Sequence, residues 1–189
     1  MHKLVFFSLV ASSFIACNKG DVSQPQMRNN EEQITTVQIN AFKTDKPDSV
    51  FGIVWRDLDG FGGLDPKIDI MQLQANTNYQ WHLVLLNESV SPVDTISNEI
   101  LKEADVHRFF YLPDSAISSL VQIHILDKDN QSKPLGLNAA IQVSPLLNNL
   151  TSANGNIRII LSHYDGIPKS DLPAPESDME IEFPVIIVR

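Results

Sequence analysis

From residue 34 onward, apolar side chains recur with a period of two, and turn-forming residues break the pattern again and again. Successive side chains of a strand point to opposite faces, so this alternation calls for strands with one buried side. Strands are expected at 34–42, 50–56, 68–74, 79–87, 107–112, 120–126, 135–143, 157–164 and 179–188. In the fourth, Tyr79, Trp81, Leu83 and Leu85 fall on alternate positions, and that face is expected to point inward. Asn76-Thr77-Asn78 and residues 127–130 read as hairpin turns, since Asn and Asp tolerate turn backbone. Residues 95–105 are the exception: Ile96, Ile100, Leu101 and Ala104 have helical spacing behind Asp94 or Thr95 as a cap, which predicts a short helix. Pro184 lacks an N–H donor and implies an edge position or a bulge in the last strand. Eight or nine short strands with one short helix, and no internal repeat, point to an all-β, immunoglobulin-like antiparallel β-sandwich.

Composition fits one core-forming domain: 189 residues, 43% hydrophobic and 20% charged. Fourteen Lys and Arg stand against 23 Asp and Glu, a net charge of -9. Nucleic acid is not an expected partner, because its phosphates require clustered cations.

The first sixteen residues follow a different plan. His2 and Lys3 precede an apolar run that ends in small residues, as in a secretory signal peptide. The run would make a helix of roughly 20 Å, short of the ~30 Å hydrocarbon core of a bilayer. It stops at Ser13-Phe14-Ile15-Ala16-Cys17, which contains the single cysteine of the chain. This stretch resembles a bacterial lipobox, in which the cysteine is lipidated and becomes the first mature residue, although Phe14 stands where Leu is usual. The plainer alternatives are a secretory leader with a chance cysteine, or a buried free cysteine. With Cys17 lipidated no disulfide is left, and the domain depends on its core. Residues 18–33 hold only Val22 and Met27 as apolar residues, so 17–33 is expected to be a lipidated cysteine with a flexible tether of about 20–25 Å, and 34–189 the sandwich. Asn18 rather than Asp after the cysteine resembles outer-membrane routing, with the periplasmic or surface face left open.

Three sets of side chains invite chemical interpretation. Asp57, Asp59 and Asp65 lie in a glycine-rich stretch between strands, where they offer oxygen ligands to Ca²⁺ or simply close a hairpin. His82, His124 and His163 lie within expected strands and His107 begins one. Different strands of a sandwich can bring such groups to one end, so a divalent metal site combining His107 and His163 with Asp57 or Asp59 is expected, suited to Zn²⁺ or another transition metal. Isolated strand histidines are more often surface or hydrogen-bonded core residues. Glu180 and Glu182 share a strand face and raise a glycosidase-like carboxylate pair, against the ordinary alternation of a half-exposed strand. No nucleophile elbow, zinc-protease helix or phosphate-binding loop is present, so no catalytic residue is assigned and a non-enzymatic protein is expected.

The lipobox, the loop at Asp57 to Gly63, the Asn-x-x-Tyr segment leading to Leu83 and Glu88, Glu103 to Tyr111, Pro134-Leu135-Gly136-Leu137 and Leu161-Ser162-His163 together resemble a group of small lipoproteins of the Bacteroidota. That resemblance covers nearly the whole mature domain. It implies a β-sandwich anchored in the outer membrane through Cys17, beside a TonB-dependent receptor and near nutrient or metal uptake. It supplies no catalytic residue. The expected function is a lipid-anchored binding or accessory protein of the envelope, the alternatives being a carbohydrate-active enzyme and a purely structural lipoprotein.

Overall fold

The computed structural model describes residues 33–60, 63–147 and 149–189. The expected leader at 1–16, the lipidation site Cys17 and the tether through residue 32 lie outside the described residues. In chain order the elements are β1 (Thr36–Lys43), β2 (Lys46–Arg56), β3 (Lys67–Ile68), β4 (Met71–Gln74), β5 (Thr77–Leu86), α1 (Ile96–Lys102), β6 (His107–Pro113), β7 (Val121–Ile125), β8 (Asn138–Val143), β9 (Ser152–His163) and β10 (Ser177–Val188). They form a six-stranded sheet in the order β3-β2-β1-β5-β8-β7 and a four-stranded sheet in the order β4-β10-β9-β6. Every ladder is antiparallel except β4 with β10.

The alternation drives this architecture. Tyr79, Trp81, Leu83 and Leu85 of β5 are buried as expected, beside Val37, Ile39 and Ala41 of β1. The other sheet contributes Ile157, Ile159 and Leu161 from β9 and Met179, Ile181, Phe183, Val185 and Ile187 from β10. Trp81 meets Tyr111 of β6 with ring centroids 5.2 Å apart, a contact between the two sheets. Each fully buried aliphatic or aromatic side chain contributes roughly 1.5–3 kcal/mol, and this all-β sandwich with one short helix is held by their sum.

Several boundaries differ from the sequence expectation. The stretch 68–74 divides: β3 closes a hairpin on β2, whereas β4 joins the opposite sheet. The break sits at Asp69, whose N–H donates to Val54 O while its Oδ2 accepts the Val54 N–H, both at 2.9 Å. Residues 135–137 are not strand. Gly136 has φ +107° there, and a Cβ would come within 2.7 Å of Phe109 Cβ, so both backbone and space require glycine. The helix is shorter than expected and turns Leu101 outward, while Ile96 and Ile100 are buried. Pro184 lies in an interior strand, not an edge one. Its neighbour β4 begins only opposite Val185, so the missing N–H of Pro184 breaks no ladder on that side, and the bulge of β10 lies instead between Ser177 and Met179.

The topology also fixes which ends coincide. Ala75 N donates to Val188 O at 2.7 Å, tying the end of β10 to the turn that begins β5. The twelve residues of β10 span about 40 Å, so Ser177 starts at the other end of the sandwich. That is where β5 finishes at Leu86 opposite Thr36, the first residue of β1. The chain therefore enters the domain at the same end at which β9 stops and β10 begins.

Candidate metal centre

His107 opens β6 and His163 closes β9, and the two are direct partners in the antiparallel ladder. Opposite residues share a face, and here it is the inward face that carries Phe109, Ile159 and Leu161. The imidazoles pack with centroids 4.6 Å apart and planes at 32°. His107 is fully buried, while the His163 side chain is 20% exposed.

The third member is Asp178. Strict alternation through the exposed Glu180 and the buried Met179 would place residue 178 on the solvent side. The bulge between Ser177 and Met179 interrupts that alternation, and bulges characteristically re-aim a side chain. Asp178 consequently turns inward, with its side chain only 11% exposed. One carboxylate oxygen, Oδ2, stands 3.5 Å from His107 Nε2, and the other, Oδ1, 3.3 Å from His163 Nδ1. One potential ligand atom from each of the three residues lies within 4.8 Å of the other two, the single such group among the described residues.

Backbone and charge prepare this arrangement. His107 Nδ1 lies 3.0 Å from Glu103 O, and a carbonyl can only accept, so Nδ1 carries the proton and Nε2 is the nitrogen turned to Asp178. Glu103 O is available because α1 ends there. Burial alone pushes the Asp178 carboxyl upward, but the adjoining His107 and His163 outweigh it and hold the group below the usual aspartate range. Asp178 is thus a carboxylate at neutral pH, an acceptor for a cation or for imidazole N–H groups.

The surrounding loops are fixed by polar anchors. Lys169 Nζ donates to Asp129 Oδ2 at 2.9 Å and to Ala104 O at 2.7 Å, and both charged side chains are 1% exposed. Burial pushes Asp129 upward most, yet Lys169 with the amides of Lys133 and Gln131 holds it below its ordinary value. Arg108, next to His107, pairs with Asp171 at 2.9 Å, donates to Ser170 O and covers the Phe110 ring at 4.7 Å. Tyr164, next to His163, donates through its hydroxyl to Leu172 O. Residues 165–176 are thereby strapped to the strands that carry the histidines.

Of the residues singled out from sequence, His107 and His163 come together and Asp57 and Asp59 do not join them. These aspartates belong to the loop between β2 and β3 of the other sheet and serve its turn. Asp57 Oδ1 accepts the Gly60 N–H and Asp59 Oδ2 the Leu64 N–H, both at 2.9 Å, with Gly60 at φ +75°. The Leu64 amide is the main reason Asp59 sits below the ordinary aspartate range. His82 and His124 are exposed, with His82 Nδ1 2.9 Å from Asn138 Oδ1. Glu180 and Glu182 are exposed too, and Glu180 pairs with Arg158 across the ladder at 2.9 Å. Asp178 went unnoticed because it precedes the alternating run, and no pattern in the chain marks the bulge. Compared with known proteins, the chain matches no family model, no curated protein and no solved structure.

Proposed function

We propose that this chain is a lipid-anchored binding or accessory protein of the cell envelope, held at the outer membrane through Cys17 and working beside a TonB-dependent receptor in nutrient or metal uptake. The observation that best supports the binding role is the convergence of His107, His163 and Asp178 at one end of a well-packed sandwich. That end is also where the chain enters the domain, so a tether from Cys17 would hold the cluster toward the bilayer rather than away from it. The exposed position of Glu180 and Glu182, and the pairing of Glu180 with Arg158, fit an ordinary solvent face of a strand.

Membrane fractionation tests the anchor. The wild-type chain is expected in the membrane fraction, released by detergent, and Cys17→Ala in the soluble fraction; several acyl chains anchor stably where one alone does not. A Cys17→Ala chain that stays fully membrane-bound would contradict the reading. Cross-linking in intact cells followed by identification of the captured protein tests the partner, with an outer-membrane receptor as the expected product.

A further inference from the structure

We infer that His107, His163 and Asp178 bind one divalent transition-metal ion, of the Zn²⁺ type, with a coordination position left for water or an incoming donor. This deepens the binding role proposed above and rests on it only for its biological setting. Three observations carry the inference. First, the donor set is mixed: two imidazoles and a carboxylate suit Zn²⁺ and its neighbours, whereas Ca²⁺ and Mg²⁺ favour oxygen alone. Second, donors about 2.0–2.1 Å from a tetrahedral ion lie roughly 3.3 Å from one another. The imidazole-to-carboxylate separations are 3.5 and 3.3 Å, one to each oxygen of Asp178, and one ligand atom from each residue lies within 4.8 Å of the other two, so closing on an ion takes a shift of about an ångström. His163 ends its strand and is the most exposed of the three, so small adjustments fall to it.

Third, the supporting contacts are those a metal ligand needs. A ligating imidazole ordinarily donates its other N–H to a carbonyl or carboxylate, which sets the tautomer and points the lone pair. The Glu103 carbonyl does this for His107. Asp178 Oδ2 is buried 3.5 Å from His107 Nε2, and its carboxylate is turned between two imidazoles. A strand bulge places it there.

The test uses the full-length chain, solubilised in detergent, stripped with a chelator and titrated separately with Zn²⁺ and Co²⁺. One equivalent per chain is expected, and Co²⁺ should give the intense visible absorption of a low-coordinate site. His163→Ala and Asp178→Asn should each weaken binding on the order of 100-fold, since loss of even an outer partner of a ligand costs 10–100-fold. His82→Ala and Asp59→Asn should leave affinity and stoichiometry unchanged. His107 is fully buried and its replacement confounds folding, so the test rests on the other two; should Asp178→Asn fail to fold, His163→Ala decides. A folded wild-type chain that takes up no stoichiometric metal, or equal affinity in His163→Ala, would overturn the inference. Cys17→Ala is expected to keep its metal whatever its membrane fraction, which separates failure of the metal site from failure of the anchor.

Discussion

Two regions of this molecule offer aspartates beside glycines, turns or histidines, and the fold treats them in opposite ways. In the loop after β2, Asp57 is half-buried and Asp59 exposed, and both accept amide N–H groups of their own turn. At the start of β10, Asp178 is drawn out of register, turned largely away from solvent, and set with one oxygen toward each imidazole. The difference is made by the backbone. A loop that closes a hairpin leaves amides to be satisfied, and the nearest carboxylate satisfies them. A bulge in a paired strand re-aims its side chain instead, and here it sets the carboxylate beside two imidazoles.

The largest expected effect comes from parting the sheets that hold the two regions. Trp81 is 2% exposed and packs on Tyr111, in the strand that begins with His107. Trp81→Ala should cost about 3–5 kcal/mol, read as a lower denaturation midpoint. An unchanged midpoint would mean that this face of β5 does not form the core.

Next comes the buried ion pair beside the histidines. Lys169→Met should cost about 3 kcal/mol, the low end for leaving a buried charge alone, because Asp129 keeps the amides of Gln131 and Lys133. The sign with pH follows from the depressed folded pKa of Asp129. Its contribution is complete above the ordinary aspartate value of about 3.9 and is lost as pH falls through the lower folded value. Chemical denaturation of the wild type should therefore give a midpoint that drops below about pH 4, and Lys169→Met should flatten that drop. An equal drop in both proteins would remove the pair from the account.

Smaller effects sharpen the contrast itself. Asp57→Asn and Asp59→Asn should leave the denaturation midpoint and metal uptake where they are, whereas Asp178→Asn should change uptake. Metal loss in the loop variants would reverse the assignment of roles. The smallest effect is expected at Glu180→Gln, which breaks a half-exposed pair with Arg158. It should shift stability by about 0.5 kcal/mol or less and vanish at high salt, as double-mutant cycles with Arg158→Gln can measure.

The sandwich was legible because burial on one face imposes a period of two, and Tyr79 to Leu85 show it without interruption. What escaped depends on where the chain goes next. Nothing in the apolar pattern separates Ile68 from Met71, yet they belong to different sheets. The histidines were identifiable as strand residues, but β6 and β9 are separated by two strands in sequence, and their register arises from the packing of both sheets. Asp178 was further out of reach, since one extra residue in a strand decides its direction and leaves no periodic trace. Gly136 shows the converse: a glycine visible in the sequence marks a conformation and a close approach whose cause, Phe109, lies elsewhere in the chain.

X-ray absorption at the zinc edge of the loaded full-length chain tests the central claim most directly, because it reports the donors themselves. The account predicts nitrogen and oxygen neighbours at about 2.0–2.1 Å with outer-shell scattering from two imidazoles, reduced to one imidazole in His163→Ala. A spectrum with sulfur in the first shell, with oxygen donors alone, or unchanged by His163→Ala would contradict it.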